Sequence, residues 1–496
     1  MFSHLEPLLI TSDALVNEDV FTGYAFSGAH LIIGEIGYQQ WLSTGRQELE
    51  EHLDGCYMVV SPRDGQVKIG ADYKGYCKLY VYQRDGHWAV SNSFSKLVES
   101  VRARGWVITP NRAVISTWSF PGAFWQQFST FETAAHEISV LPRQHSLEVD
   151  DQGTLNVVKS ERTPPTPDRQ GYLQALGEFV QTWIGRIGTT IRRPDTQLLM
   201  ELTGGVDSRV PLALALALRQ FFPTNFGKQL MLSSGLTYPD DLRVATQIAK
   251  TYRIPINRRQ QQLTYGTNFR DPFEQWRAFS LGSYGPIYWP AANVAEGRFT
   301  VGGHGGEGHR SYWTYESPQA VLEAHRDSFP DAEVYRSAAN AFEETRMVLE
   351  DEYPGVSPTV AHYREFRDRL HSGLHAQQQI RLQPLASKLM YAASDLLSTD
   401  ALNRGQMLYD VVGLAAPSLL SMPYDTPSKV PSHVILGDLA EPVAMNPMRG
   451  EIFGLGDLVN AETPLRSREA LGSGRGSVRG CSRANPGRTG GRDYSR

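Results

Sequence analysis

The first 160 residues alternate short apolar runs with turn-forming residues. β-branched and aromatic residues concentrate at 57–60, 66–71, 79–82 and 88–90. Asp64-Gly65 and Asp85-Gly86 each separate two of these runs, and Asp-Gly is a strong hairpin signal because both residues tolerate positive φ. A third turn, at 151–153, follows the strand-like residues 147–149. The pattern predicts antiparallel β-structure with hairpins that ends near residue 160.

A proline-rich segment at 163–167 then interrupts the pattern. Proline removes a backbone donor and restricts the residue before it, so regular structure is expected to stop there. Beyond it, apolar residues recur every three or four positions from Tyr172 to Ile187, and Asp168 stands where a helix needs its N-cap. We therefore predict a domain boundary at this segment and an amphipathic helix at the start of the second domain.

From residue 197 the order changes to strand, glycine turn, helix, strand and helix. The strands are predicted at 197–202 and 229–234, and the helices at 208–222 and 240–252. Such alternation is typical of a parallel sheet covered by helices, with any ligand at the carboxyl ends of the strands. Residues 315–420 are expected to be mainly helical. Residues 463–496, rich in Arg, Gly and Ser, are predicted to be a disordered tail, to which we assign no role.

Composition and charge exclude several classes of protein. The 496 residues are 41% hydrophobic and 20% charged, which is typical of folded proteins. With 48 Lys and Arg against 53 Asp and Glu, the net charge of −5 does not favour nucleic-acid binding. The three cysteines form no C-x-x-C pair, and the sequence has neither a basic leader nor an apolar run of membrane-spanning length. We expect a cytoplasmic protein that binds neither nucleic acid nor membrane, and the sequence leaves a homodimer open.

The segment Thr203-Gly204-Gly205-Val206-Asp207-Ser208 carries the clearest chemistry. Two glycines after a strand allow a tight turn, and the amides that lead into the next helix then point at whatever occupies that turn. A helix N-terminus offers free N–H groups and about half a positive charge, which suits a phosphate group. Thr203 and Ser208 add hydroxyl donors. The segment is predicted to bind pyrophosphate, and the alternative is that the glycine pair serves packing alone.

The segment resembles the S-G-G-x-D-S phosphate loop of the ATP pyrophosphatase superfamily, with Thr203 in place of the first serine. Residues 55–60, 69–75, 79–82 and 141–142 resemble the glutaminase-type domain of asparagine synthetases. Over roughly residues 20–450 the order of these features is similar to that of the asparagine synthetase family, which includes the β-lactam synthetases. The resemblance implies an α/β protein. Residues 1–162 would form an Ntn-hydrolase-like, β-rich αββα domain, and residues 168–462 a parallel-sheet ATP pyrophosphatase domain, adenine nucleotide α-hydrolase-like, with a largely helical C-terminal part.

The same resemblance implies the members of a site for ATP and Mg²⁺. Residues 301–309 resemble the family's S-G-E-G-x-D-E loop, with Glu307 in place of its aspartate. Thr203, Gly204, Gly205, Val206, Asp207, Ser208, Gly303 and Gly305 would bind the nucleotide, and Asp207 and Glu307 would hold the metal. Residues 422–429 resemble the segment that brings a lysine to the reacting centre. Lys429 is therefore the first candidate for the catalytic cation and Arg209 the second.

The implied function is formation of an amide bond at the expense of ATP. The enzyme would adenylate a small-molecule or peptide carboxylate, release AMP and pyrophosphate, and transfer ammonia or an amine to the acyl group. Glutamine-hydrolysing members expose a cysteine after the initiator Met, where this chain has Phe2. Because Cys56 and Cys77 lie in predicted strands, we expect them to be buried and glutamine hydrolysis to be absent. An intramolecular, lactam-forming reaction and a non-catalytic nucleotide-binding scaffold are the alternatives.

Two other groups of residues have an alternative interpretation that we do not adopt, a zinc site for the first and base stacking for the second. His304, Glu307 and His309 lie close in sequence, but their spacing is not that of a zinc motif. Six aromatic residues between 118 and 131 lack interleaved basic residues, so they are expected to be core rather than a stacking surface for bases.

Overall fold

The structure is a computed structural model, and it describes residues 5–46, 49, 51–63, 65–160, 166–221, 229–259, 272–285, 297–442 and 444–455. Residues 1–455 form one compact unit. The predicted tail, Phe2, and Pro164 and Pro165 of the proline-rich segment lie outside the described residues. Within the described part of the chain, no helix combines the length and apolarity needed to cross a bilayer.

Two antiparallel sheets occupy the amino-terminal part. Their strands are β1 (Leu9–Thr11), β2 (Val20–Ser27), β3 (His30–Ile33), β4 (Asp54–Arg63), β5 (Gln66–Ala71), β6 (Tyr80–Arg84), β7 (His87–Ser91), β8 (Ile138–Val140), β9 (His145–Val149) and β10 (Leu155–Lys159). One sheet has the order β1-β7-β6-β8, and the other contains β10-β9-β5-β4-β2-β3.

The predicted hairpins are confirmed. β4 and β5 pair up to Arg63 and Gln66, and β6 and β7 pair up to Arg84 and His87. At the second turn, φ is 50° for Asp85 and 77° for Gly86, so both central residues adopt the left-handed conformation that a type I′ turn requires. The turn at 151–153 likewise joins β9 to β10. These turns were predictable because their chemistry is local.

Alternating side chains of the strands build a four-layer order of helix, sheet, sheet and helix. In β4, Met58 faces the core between the two sheets, whereas Tyr57 packs under the helix Gly34–Ser43. In β6, Val81 faces the inter-sheet core and Tyr80 packs against the helix Phe94–Ala103. Side chains on a strand point alternately to its two faces, so one apolar strand serves two layers.

A five-stranded sheet follows in the carboxyl-terminal part. Its strands are β11 (Gln197–Glu201), β12 (Leu230–Gly235), β13 (Ile256–Arg259), β14 (Arg298–Val301) and β15 (Arg381–Leu382). All four pairings are parallel, in the order β13-β12-β11-β14-β15. β11 is therefore central. The helices Arg169–Ile191, Arg209–Phe221 and Pro239–Tyr252 confirm the predicted succession, and Asp168 caps the first by accepting a hydrogen bond from Gln170 N at 3.0 Å.

The rest of the chain is mainly helical, as predicted. The segments are Arg112–Thr117, Pro272–Phe279, Pro318–Ala324, Ala332–Glu352, Pro358–His362, the π-helix Tyr363–Ser372, Gly373–Gln378, Lys388–Ser394, Thr399–Asn403, Gln406–Ala415 and His433–Gly437. The aromatic cluster is core: Phe120, Phe124 and Trp125 pack with Phe342. Of the parallel sheet, β13, β14 and β15 were not predicted. Nor was β16 (Ile452–Phe453), which pairs parallel to β3 and so joins the end of the unit to the first sheets.

Candidate functional site

The segment Thr203–Ser208, called the glycine loop below, lies at the carboxyl end of the central strand of the parallel sheet. β11 ends at Glu201 and the next helix begins at Arg209. Two local contacts shape the loop: Ser208 Oγ accepts a hydrogen bond from Thr203 N at 3.0 Å, and it lies 3.0 Å from Thr203 Oγ1. Gly204 N donates to Asp241 Oδ1 at 2.7 Å. Strand, loop and helix therefore have the predicted geometry, with Thr203 exposed at the surface.

The two glycines of the loop have different surroundings. A Cβ on Gly204 would lie 2.2 Å from Asp425 Cβ, so packing requires glycine at that position. A Cβ on Gly205 would meet nothing nearer than Lys429 Nζ at 3.8 Å, and neither glycine has a positive φ. The chain's own packing and backbone conformation therefore do not require glycine at 205. Gly205 is itself buried, and a Cβ there would make ordinary van der Waals contacts with Lys429 and with Thr203 Oγ1 at 3.9 Å.

Two carboxylates, those of Asp207 and Glu307, lie beside the loop. Asp207 Oδ2 accepts a hydrogen bond from Arg310 at 3.3 Å, whereas Asp207 Oδ1 is buried and has no hydrogen-bond partner among the residues that the structure describes. Desolvation, together with the negative charge of Asp207, raises the pKa of Glu307 to about 7. Two carboxylates whose proximity disfavours ionisation of one of them form a site that a divalent cation would stabilise.

The other predicted loop residues hold these carboxylates in place. Val206 is buried. A Cβ on Gly303 would lie 2.6 Å from the carbonyl carbon of Asp207, so the backbones of the two loops are in contact. Gly305 has a φ of 99° and packs against Ala386, where a Cβ would lie 2.7 Å from the Cβ of that residue. Gly303 and Gly305 thus allow the close approach that brings Glu307 to the glycine loop.

The two predicted cations differ in accessibility. The side chain of Lys429 is 45% exposed, and its Nζ donates to Asp425 Oδ2 at 2.6 Å. Arg209 is fully buried, and its guanidinium donates to the carbonyl oxygens of Leu419 at 2.9 Å and Met422 at 3.1 Å. Its donors fix the chain segment that leads to Lys429. Arg209 as a catalytic cation stays a prediction, and its burial is typical of a positioning residue.

The Asp72–Gly75 turn, which resembles part of a glutaminase domain, is buried within the unit. Asp72 accepts hydrogen bonds from the backbone N–H groups of Tyr76 at 2.9 Å and Cys77 at 2.8 Å. Lys74 forms a buried ion pair with Asp368. Cys77 and Cys56 are buried as expected, and burial raises the pKa of the Cys77 thiol to about 12. Neither cysteine side chain is accessible as a nucleophile.

Sequence reasoning did not assign several polar residues of the site. Asp241 lies in a segment, 239–245, that resembles the family's acidic helix start, but nothing in the sequence showed that it would bind Gly204 N–H. Arg310 contacts Asp207 across 103 residues, and Arg381 contacts Glu201 across 180 residues. His309 donates from Nε2 to the Leu385 carbonyl oxygen at 2.6 Å. No local signal could have identified pairs so distant in sequence.

Comparisons with known proteins add little to this picture. No family model matches the chain, and no curated protein matches it significantly. Among solved structures it is similar to glutamine phosphoribosylpyrophosphate amidotransferase from B. subtilis complexed with ADP and GMP, with 12% identity over 67% of this chain and 62% of that chain and a TM-score of 0.16. The second is the allosteric regulatory enzyme of purine biosynthesis, with 13% identity, coverages of 66% and 61% and a TM-score of 0.18. The chain thus spans about three fifths of each, and scores this low carry no argument about its fold or function.

Proposed function

We propose that this chain is an ATP-dependent ligase that adenylates a carboxylate and then transfers ammonia or an amine to the acyl group. The observation that carries the proposal is the glycine loop between β11 and the helix Arg209–Phe221, with two carboxylates and an ammonium group beside it. These belong to Asp207, Glu307 and Lys429. In open parallel sheets, ligands bind at the carboxyl ends of the strands, and this loop leaves the central strand of its sheet.

Pyrophosphate is the anion that fits the loop. The N-terminus of the helix Arg209–Phe221 supplies a partial positive charge, and the hydroxyls of Thr203 and Ser208 supply polar groups. With glycine at 205, no side chain would stand between the loop backbone and a phosphate bound beside Lys429. One loop amide, Gly204 N–H, is already bound by Asp241, so Asp241 fixes the shape of the loop.

Mg²⁺ fits the carboxylates of the site. Within the described part of the chain, Asp207 Oδ1 is buried without a hydrogen-bond partner, and the pKa of Glu307 is raised to about 7 partly by the charge of Asp207. A bound Mg²⁺ would neutralise charge that develops on the phosphates as the bond between them breaks. Asp207 and Glu307 would hold it, and Arg310 would orient Asp207 from the other side.

Lys429 is the cation placed to meet the reacting phosphate. An oxygen of the substrate carboxylate forms a bond to the α-phosphorus while the bond from this phosphorus to the bridging oxygen breaks, and pyrophosphate leaves with the electron pair. Negative charge spreads over the phosphate oxygens in this transition state, so a nearby ammonium group stabilises it. Lys429 Nζ lies beside Gly205, and Asp425 positions it. Arg209 acts as a positioning residue for this segment.

Exchange of labelled pyrophosphate into ATP across a panel of carboxylic acids tests the proposal. The ligase predicts exchange with at least one acid, and an amide when ammonium is added. An acid that carries its own amine and yields a cyclic product without ammonium would identify the lactam-forming variant. Tight binding of ATP with no exchange for any acid would instead favour the nucleotide-binding scaffold. We also expect no release of ammonia from glutamine, because the thiols of Cys56 and Cys77 are buried.

A further inference from the structure

A second polar cluster adjoins the glycine loop and has no role in the adenylation step. It consists of Glu201 at the end of β11, Arg381 at the start of β15, and His304 in the loop after β14. Arg381 forms an ion pair with Glu201, and its Nη2 lies 2.9 Å from Nδ1 of His304. The Arg381 side chain is 1% exposed, whereas that of Glu201 is 25% exposed and that of His304 33% exposed.

The contact with Arg381 determines which nitrogen of His304 carries the proton. A guanidinium group has N–H donors and no acceptor, so Nδ1 of His304 accepts the hydrogen bond with its lone pair. The proton of the neutral ring is therefore on Nε2. Desolvation and the charge of Arg381 lower the pKa of His304 to about 4, which keeps the ring neutral near pH 7. Because Nδ1 is engaged, His304 has an N–H to offer a ligand and no free lone pair.

His304 stands next to the backbone of the glycine loop. It follows Gly303, whose backbone touches the peptide between Asp207 and Ser208; a Cβ on Gly303 would lie 2.7 Å from Ser208 N. A Cβ on Gly302 would lie 2.5 Å from Arg381 Nη2. The His304 ring packs edge-on against the ring of His375, with 5.2 Å between their centroids, and its Nδ1 faces Arg381.

We infer that His304 is a neutral hydrogen-bond donor to the acyl oxygen of the activated substrate, with Arg381 and Glu201 as its positioning residues. This inference rests on the proposed function. The lone pair of the amine forms the C–N bond while the C=O electrons move onto the acyl oxygen, which accepts from Nε2–H. Collapse then breaks the bond from the acyl carbon to the phosphate oxygen, AMP leaves with that electron pair, and the surplus amine proton passes to water. A donor aimed at a developing oxyanion lowers the barrier without itself taking a proton.

Three substitutions of His304 distinguish a donor from a base. In His304→Gln, the amide can accept from Arg381 and still donate to the acyl oxygen. His304→Leu can do neither, and His304→Glu supplies a base without a donor. With ammonium and the acid that supports exchange, we expect Gln to retain amide formation within about tenfold, and Leu and Glu to lose about 10²- to 10³-fold in kcat. Amide formation should fall more than pyrophosphate exchange does. Activity in the Glu variant with none in the Gln variant would overturn the donor role.

The tautomer of the His304 ring can be measured directly. ¹⁵N NMR of histidine-labelled protein should show the Nε2–H tautomer of His304 between pH 6 and 8, and Arg381→Leu should abolish this preference. An Nδ1–H tautomer in the wild type would overturn the inference. The two proposals fail differently: no exchange with any acid removes the ligase and the donor role together, whereas normal exchange with undiminished amide formation by His304→Leu removes the donor role alone.

Discussion

Two glycine-containing turns of this protein each resemble part of a known family, and the structure gives them different surroundings. In the Asp72–Gly75 turn, both carboxylate oxygens of Asp72 accept backbone N–H groups, and the carbonyl oxygen of Gly75 accepts from Arg369 at 2.9 Å. In the glycine loop, Thr203 is exposed, and a buried carboxylate oxygen of Asp207 has no partner in the part of the chain that the structure describes.

The hydrogen-bond partners of each turn explain why one is a buried structural contact and the other a candidate site. The helices and π-helix of the second part supply Asp368, Tyr391 and Arg369 to the Asp72–Gly75 turn, so Lys74 and the Gly75 carbonyl are paired within the chain. Among the described residues, Asp368 Oδ1 behind this turn and Asp207 Oδ1 in the glycine loop are both buried without a hydrogen-bond partner. An unpaired buried polar atom costs free energy unless a ligand satisfies it, and in the glycine loop that atom belongs to the loop itself.

The largest effect is expected at Asp207. In Asp207→Ala, loss of the proposed metal ligand should reduce pyrophosphate exchange by about 10³-fold, or about 4 kcal/mol of transition-state stabilisation. The free energy of unfolding should change by no more than about 1 kcal/mol, because the ion pair with Arg310 is partly exposed. Exchange kinetics and urea denaturation measure the two quantities. Asp195→Ala, which also removes an ion pair with arginine, is the matched control and should exchange normally. Wild-type exchange by Asp207→Ala would remove the metal assignment.

Lys74 tests the buried turn. Lys74→Met leaves Asp368 charged and buried, so the free energy of unfolding should fall by about 3 to 5 kcal/mol. Lys159→Met removes a pair with Asp351 whose side chains are more than half exposed, and it should cost less than about 1 kcal/mol. Urea denaturation of both variants provides the comparison. Equal losses of unfolding free energy in the two variants would show that the buried ion pair stabilises the fold no more than the exposed one.

Asp72 should make the free energy of unfolding depend on pH. Burial raises the pKa of Asp72 to about 6 from its ordinary 3.8, so between these values the folded state binds more protons than the unfolded state. Stability from this group therefore falls as pH rises from about 4 to 6. Asp72→Asn lacks the titration, and the stability difference between wild type and variant should change by about 3 kcal/mol over that range. Denaturation midpoints at several pH values measure it. If the stability difference between wild type and Asp72→Asn does not vary with pH, burial does not raise the pKa of Asp72.

Alanine substitutions at the two glycines of the loop are expected to have the smallest effects on the free energy of unfolding, and the two variants should differ from each other. Gly204→Ala should lower the free energy of unfolding by about 1 to 3 kcal/mol, because the new Cβ collides with Asp425. Gly205→Ala should leave stability within about 0.5 kcal/mol, since the nearest atom is 3.8 Å away. It should nevertheless raise the KM for ATP in the exchange reaction, because the methyl group would stand between the loop backbone and a phosphate bound beside Lys429. Normal exchange kinetics in Gly205→Ala would show that no ligand approaches there.

Much of the fold was predictable because its signals are local. The turn at Asp85-Gly86 needs only residues that tolerate positive φ, and the cap at Asp168 needs only a side chain next to its own helix. The succession from β11 through the glycine loop to the helix followed from apolar spacing and two glycines. β15 and β16 escaped prediction because two-residue strands have no period, and each exists only through its partner strand.

The site divides in the same way. The sequence by itself determined the glycine loop, its hydroxyls and the carboxylate of Asp207, because a strand, a turn and a helix place neighbouring residues without help from elsewhere. Only the tertiary structure decided that Arg209 is buried as a positioning residue and that Lys74 forms a buried ion pair with Asp368. It also decided that Arg381 contacts Nδ1 of His304, which leaves the ring proton on Nε2. The reason is physical: burial, pairing and tautomer depend on groups that folding brings together from segments far apart in the chain.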